Sequence, residues 1–83
     1  MRGQIVCSKA GRDKGYFMVV VSQDGEILVC DGKERPLERP KRKNAKHLSF
    51  TGTYLSEIDL TSNKKLRKAL AVYRDKANFK EEL

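Results

Sequence analysis

The stretch SKAGRDKGYFMVVV, residues 8–21, sets three cations and two glycines directly before an apolar, strand-like block. Lysine and arginine attract phosphate oxygens, and glycine, which has no side chain, lets an anion approach the backbone N–H groups closely. Glycine also permits positive φ, and Asp13 is expected to hydrogen-bond its own backbone and fix the turn. The stretch therefore predicts a phosphate-binding loop, with an ordinary charged hairpin end as the alternative. Its candidate contact residues are Lys9, Gly11, Arg12, Lys14 and Gly15.

A second basic run lies in the connector of residues 33–46, KERPLERPKRKNAK. Pro36 and Pro40 favour extended backbone and hinder a helix. A charge run of this kind is typical of a solvated linker, but an extended arm beside the loop would continue the basic surface. Further candidates for contact with a polyanion are therefore Arg39, Lys41, Arg42, Lys43 and Lys46.

Two aromatic side chains join the candidates. Tyr16 stands beside Gly15 at the strand entrance, where its ring could stack on a base. His47 could stack on a base or pair with phosphate, although packing at a strand edge is the more ordinary role for it. Phe17 and Tyr73 fall on faces that we expect to be core.

The composition favours a polyanionic partner. The chain has 83 residues and a formal net charge of +7, which places a positive field on one small domain. Its longest apolar run, Tyr16 to Val21, is six residues, far below the roughly 20 of a membrane helix. No signal peptide is visible in MRGQIVCS, so we expect a cytoplasmic protein. Cys7 and Cys30 are predicted to be reduced core residues, and one histidine with two cysteines is too few for a zinc site.

The elements that must hold the loop begin with a hairpin. FMVVVSQDGEILVC is β-branched on both sides of Asp24-Gly25, a strong signal for a two-residue turn. That turn pairs Val19 with Cys30 and Val20 with Val29, and it continues with Val21–Leu28 and Ser22–Ile27. Both faces are then apolar, so the hairpin must be covered twice. The predicted covers are the interior of a closed small barrel and a helix outside it.

The C-terminal segment predicts that helix. Thr61, Ser62 and Asn63 are all good N-cap residues. An apolar stripe follows at helical spacing, and its members are Leu66, Ala69, Leu70, Tyr73 and Ala77. The cations opposite the stripe form either a solvated face or a second basic patch. Other short strands are expected over residues 3–8 and 47–50, with a short strand or turn over residues 53–55.

The segment GQIVCSKAGRDKGYFMVVV resembles a KOW motif, the strand–loop–strand element of many ribosomal proteins and transcription elongation factors. Its AGRDKG core is similar to that of large-subunit ribosomal proteins of the fourteen-e type and their small bacterial relatives. The order continues with LVCDG, a basic run and KHL, so the resemblance covers about residues 3–50. It implies an SH3-like β-barrel and RNA binding, usually to ribosomal RNA, with Lys9, Arg12, Lys14 and the basic connector on the RNA-binding face.

We therefore predict a mainly β domain, with an SH3-like (KOW) small barrel over residues 1–60 and a C-terminal helical extension over residues 61–83 packed on it. The predicted function is docking on structured, most readily ribosomal, RNA by a ribosome-associated or assembly protein. A protein-interaction KOW module of the transcription or translation machinery is the alternative, and a DNA-coating basic protein is a third hypothesis. No catalytic constellation stands out, so no enzyme, cofactor or metal is expected.

Overall fold

The computed structural model describes the backbone of residues 1–22 and 26–82 and the side chains of residues 1–22 and 26–76. It contains five strands and one long helix. These elements are β1 (Gln4–Ser8), β2 (Phe17–Ser22), β3 (Ile27–Cys30), β4 (Lys41–Lys43), β5 (Leu48–Tyr54) and α1 (Asn63–Glu82). Single 3₁₀ turns at Ala45–His47 and Glu57–Leu60 precede β5 and α1, respectively.

The strands form one antiparallel sheet in the order β4-β3-β2-β1-β5. The prediction of a mainly β fold with a C-terminal helix is confirmed. The prediction of a closed barrel is wrong, because β4 and β5 are the two edges of the sheet and do not pair. The strand β4 spans just the three residues after Pro40. The 3₁₀ turn at Ala45–His47 then separates it from β5, which begins at Leu48. The sheet therefore remains open along one seam.

The β2–β3 hairpin follows the predicted register over its first two pairs, Val19–Cys30 and Val20–Val29. Beyond them the prediction is wrong, because Ser22 pairs with Leu28 and one extra residue of β2 forms a bulge. The predicted Asp24-Gly25 turn lies outside the described residues. The bulge shifts the pairing at the turn end of the hairpin and leaves its other end in register.

Both faces of the sheet are apolar, as the hairpin pattern predicts. One face packs against α1. Ile5, Val19 and Cys30 of the sheet form a buried cluster there with Leu60 of the preceding turn and with Leu66 and Leu70 of the helix. The opposite face forms a second cluster of Val6, Met18, Val20, Val29 and Leu48. Cys30 is fully buried and Cys7 is half-buried, and both are free thiols. Two layers of apolar side chains thus hold the strands that carry the loop.

The helix α1 begins as its sequence predicts. The side chain of Ser62 accepts a hydrogen bond from the Lys65 backbone N–H at 3.1 Å and so caps the first turn. The stripe of Leu66, Leu70 and Tyr73 then faces the sheet. The ring of Tyr73 meets Phe17 edge to face at 5.2 Å between centroids. The predicted contribution of Ala77 lies outside the described side chains.

The connector of residues 33–46 is folded onto the domain. The Asp31 carboxylate accepts hydrogen bonds from the backbone N–H groups of Lys33 and Arg35, both at 2.8 Å. The Leu37 N–H donates to the side-chain oxygen of Asn63 at 2.7 Å, which ties the connector to the first turn of α1. Gly32 makes the close approach possible, with φ at +81° beside the Asn63 carbonyl. The second half of the connector becomes β4.

The last strand also departs from the prediction, because the pieces expected at residues 47–50 and 53–55 form one strand, β5. A bulge of two extra residues lies within β5. Val6 pairs with Phe50 and Gln4 with Tyr54, so two steps along β1 match four along β5. The Thr51 hydroxyl donates to the Ile5 carbonyl at 2.7 Å, and the Gln4 side chain donates to the Thr51 carbonyl at 2.8 Å. These side chains anchor the bulge.

Candidate nucleic-acid interface

The loop of residues 9–16 joins β1 to β2 and is held by its own backbone. The Gly15 N–H donates to the Ser8 carbonyl at 2.8 Å, and the Ser8 N–H donates to the Tyr16 carbonyl at 3.0 Å. Two tight turns lie between them, closed by Lys14 N–H to Gly11 O and Tyr16 N–H to Asp13 O. Gly11 and Gly15 have φ near +83° and +87°, so both glycines adopt the left-handed backbone that the sequence predicts for them.

A buried ion pair lies beneath this loop. The Lys43 ammonium, at the end of β4, is 3.0 Å from Oδ1 of Asp13, and their side chains are 9% and 11% exposed. Lys43 also donates to the Ser8 hydroxyl and to the Ala10 carbonyl, each at 3.2 Å. All three ammonium protons therefore have acceptors. The Ser8 hydroxyl in turn lies 3.0 Å from Asp13 Oδ1 and 2.9 Å from the Ala10 carbonyl.

The ion pair sets the charge of Asp13. Burial by itself would raise the pKa of this carboxyl, but the hydrogen bonds from Lys43 and Ser8 and the charge of Lys43 outweigh it and lower the pKa. The carboxylate is thus held ionised, with its second oxygen buried and unpaired. We name Ser8, Asp13 and Lys43 the loop clamp, because together they fasten the loop to the β4 edge.

The cations of the loop itself point outward. Lys9, Arg12 and Lys14 are exposed. Within the described part of the chain, ion pairs join Arg2 to Glu57, Arg42 to Glu26 and Lys43 to Asp13, and none involves a loop cation. The loop therefore presents three positive charges that no carboxylate of the described residues neutralises. A rigid, glycine-thin loop with such charges matches the geometry of phosphate binding.

The connector candidates separate into different environments. Lys46 is exposed in the turn beside the loop, where the Lys9 N–H donates to the His47 carbonyl at 2.8 Å. Arg42 pairs with Glu26 at 2.7 Å on the surface. Lys41 is half-buried on the sheet, and Arg39 is exposed in the turn that begins at Pro36. The ammonium of Lys43 is enclosed in the loop clamp, so we assign it a positioning role and not a contact with a ligand.

The two aromatic candidates also differ. Tyr16 is 57% exposed at the end of the loop, so its ring is accessible for stacking. His47 is half-buried, ends a 3₁₀ turn and holds the loop through its backbone carbonyl. The structure therefore brings together a compact surface around the loop, which we name the basic rim. Its members are Lys9, Gly11, Arg12, Lys14, Gly15, Tyr16 and Lys46.

Sequence reasoning missed the loop clamp. The pattern predicts the hydrogen bond of Asp13 to its own backbone, but it places Lys43 among the exposed cations. The two residues are 30 positions apart, and nothing local distinguishes Lys43 from the other cations in PKRKNAK. The strand register gives the signal: Lys43 pairs with Ile27, and this places both side chains on the same, inward face.

Comparisons with known proteins leave the site to be interpreted from its own geometry. No family model matches the chain, and no curated protein matches it. Among the described residues, no helix is both long and apolar enough to cross a membrane. The described residues also contain no group of three or more His, Cys, Asp or Glu side chains that could hold a metal ion.

Proposed function

We propose that this protein is an RNA-binding module that docks on structured RNA through the phosphates facing its basic rim. The observation that carries the proposal is the loop itself, in which Lys9, Arg12 and Lys14 are exposed and form no ion pair with any described residue, while Asp13 is fastened underneath. Because the loop is already fixed, little conformational entropy is lost when phosphates bind. RNA helices are recognised largely through shape and backbone, which suits a rim of cations with one exposed ring.

Ribosomal RNA is the RNA that the KOW resemblance implies, and an SH3-like barrel is the fold that accompanies it. Five antiparallel strands, two apolar faces and a 3₁₀ turn before the last strand support that fold. The loop clamp joins β4 to the end of β1 and the loop that follows it, where β4 and β5 do not pair. On this proposal the protein is a ribosome-associated or assembly factor of the cytoplasm, and it acts by binding and not by catalysis.

The salt dependence of binding tests the mechanism. The rim offers four cations, Lys9, Arg12, Lys14 and Lys46, so the logarithm of affinity should fall with the logarithm of salt with a slope of about −3 to −4. The probe is a labelled fragment of folded large-subunit ribosomal RNA, with duplex DNA as competitor. Changing Arg12→Glu and Lys14→Glu together should reduce the affinity at least tenfold and make the slope shallower by about 1.5.

A matched control makes the same charge change elsewhere. Lys64→Glu and Arg74→Glu alter two exposed cations of α1, and this double variant should bind RNA within about threefold of the unchanged protein. Equal losses in the two double variants, or a slope near zero, would contradict docking through the rim. Equal affinity for duplex DNA would favour a general nucleic-acid coat. In-cell crosslinking with sequencing of the attached RNA then identifies the RNA.

A further inference from the structure

A groove runs along α1, between the helix and the residues at the end of β5 and just after it. It consists of two adjoining depressions of about 420 Å³ and 390 Å³. Both are lined by Leu55, Ala69 and Val72, which form a shared apolar floor. No lining residue belongs to the basic rim or the loop clamp. The groove is thus a second surface, independent of the proposed RNA site.

The floor of the groove leaves apolar area in water. Val72 is 49% exposed, whereas Leu66 and Leu70, on the face of α1 that packs on the sheet, are at least 95% buried. On the helix surface Val72 lies in one row with Lys65, Lys68 and Lys76, since these positions are separated by multiples of three and four residues. An apolar strip flanked by cations therefore runs beside the stripe that α1 packs on the sheet.

The cations around the groove are placed unfavourably for the helix. Lys65 lies in the first turn of α1, where positive charge opposes the helix dipole. Lys65 and Lys68 are three residues apart and repel each other on the same side. Among the residues whose side chains the structure describes, Asp59 is the one carboxylate that lines the groove. A ligand with negative charge would relieve each of these repulsions.

We propose that the groove docks an acidic protein segment that carries bulky apolar side chains. The apolar side chains would cover Leu55 and Val72, and the flanking carboxylates would face Lys65, Lys68 and Lys76. RNA suits the groove poorly, because its floor is aliphatic and the ring of Tyr73 packs edge-on against Phe17, away from a stacking position. The protein would then bind RNA at the basic rim and an acidic peptide of a partner in the groove.

The test uses the full chain and a fluorescein-labelled peptide of alternating Asp or Glu with Leu or Phe. Saturable micromolar binding is expected, with amide shift changes centred on Leu55, Ala69 and Val72 in NMR spectra. A peptide with alanine in place of Leu and Phe should bind at least tenfold more weakly. Equal binding of the alanine peptide, or shift changes centred on the basic rim, would overturn the proposal, as would the absence of saturation up to about 1 mM.

Variants separate this proposal from the RNA site. Lys65→Glu with Lys68→Glu should weaken the peptide at least tenfold, whereas Lys64→Glu with Arg74→Glu carries the same charge change outside the groove lining and should stay within about threefold. Arg12→Glu with Lys14→Glu should leave peptide affinity unchanged while RNA binding is lost. If an RNA fragment displaces the peptide from the groove, RNA is the occupant and the peptide proposal is wrong.

Discussion

Removing one partner of the loop clamp should destabilise the whole domain. In Lys43→Met the Asp13 carboxylate, about nine-tenths buried, loses its counter-ion and keeps just uncharged donors, among them the Ser8 hydroxyl. Leaving a buried charge unpaired in this way costs about 3–5 kcal/mol. A domain of 83 residues has a total stability of about 4–12 kcal/mol. The variant should therefore lose a large part of its stability and melt at least about 12 °C lower.

Urea unfolding followed by circular dichroism measures the effect. Arg42→Met is the matched control, because it removes the neighbouring cation of the same strand, whose side chain is 71% exposed and pairs with Glu26. An exposed pair of this kind contributes at most about 1 kcal/mol. Adding Asp13→Asn to Lys43→Met should recover at least about 1 kcal/mol relative to Lys43→Met alone, since the unpaired charge is then gone.

The pH dependence of the unfolding free energy tests the same ion pair. The folded-state pKa of Asp13 lies below its ordinary value of 3.8, so the clamp stabilises the fold above that pH and the contribution is lost as the pH falls through the folded pKa. In Lys43→Met, protonation of Asp13 relieves the buried charge. The difference in unfolding free energy between the two proteins should thus shrink from pH 7 to pH 3. If Lys43→Met costs no more than Arg42→Met at pH 7, the reasoning is refuted.

Three further outcomes follow from other parts of the fold. Gly32→Ala places a Cβ 2.5 Å from the Asn63 carbonyl oxygen, whereas the Cβ of Gly15→Ala meets nothing within 4 Å at a similar φ. Both variants should lose about 1–2 kcal/mol of stability because alanine disfavours the left-handed backbone. Thermal melting should show a larger loss of stability for Gly32→Ala, because of the added clash. Ser62→Ala removes the N-cap of α1 and should cost about 1 kcal/mol by urea unfolding, and an unchanged midpoint would contradict the cap. Burial, with Asp31 and Glu38 nearby, raises the pKa of Cys30 to about 11, so iodoacetamide at pH 8 should modify it at least about 100-fold more slowly in the native protein than in the urea-unfolded chain; equal rates would show that the thiol is accessible.

Strong local signals predicted the main elements correctly. The β-branched runs of residues 17–22 and 27–30 specify strands because both faces are buried, and Ser62 with the stripe from Leu66 specifies α1. The bulge in β2 was not predictable, since one inserted residue changes the pairing but leaves the run of valines apolar. The pattern of apolar residues fixes which residues are buried more firmly than it fixes their partners.

The strand β4, within the basic connector of residues 33–46, was not predictable from the charge pattern. PKRKNAK has no apolar residue that would mark a strand except Ala45, and its cations favour a solvated arm. The backbone of Lys41–Lys43 nevertheless pairs with β3, because hydrogen bonding along a strand edge does not depend on side-chain type. The inward direction of Lys43 follows from that register. The sequence names the four rim cations as candidates, and it does not separate them from Lys43, whose side chain lies buried beneath the loop.

An open sheet has two free edges, and each edge is a template for another chain. This protein limits aggregation by a different means at each edge. At one edge, β4 offers just three residues after Pro40, which is a short template for a second chain. At the other edge, the bulge at residues 51–53 distorts β5, so β5 cannot form a continuous hydrogen-bonded ladder with another strand. Both barriers lie in the backbone and are not screened by salt, so neither edge should begin to self-associate as the ionic strength of a concentrated solution rises.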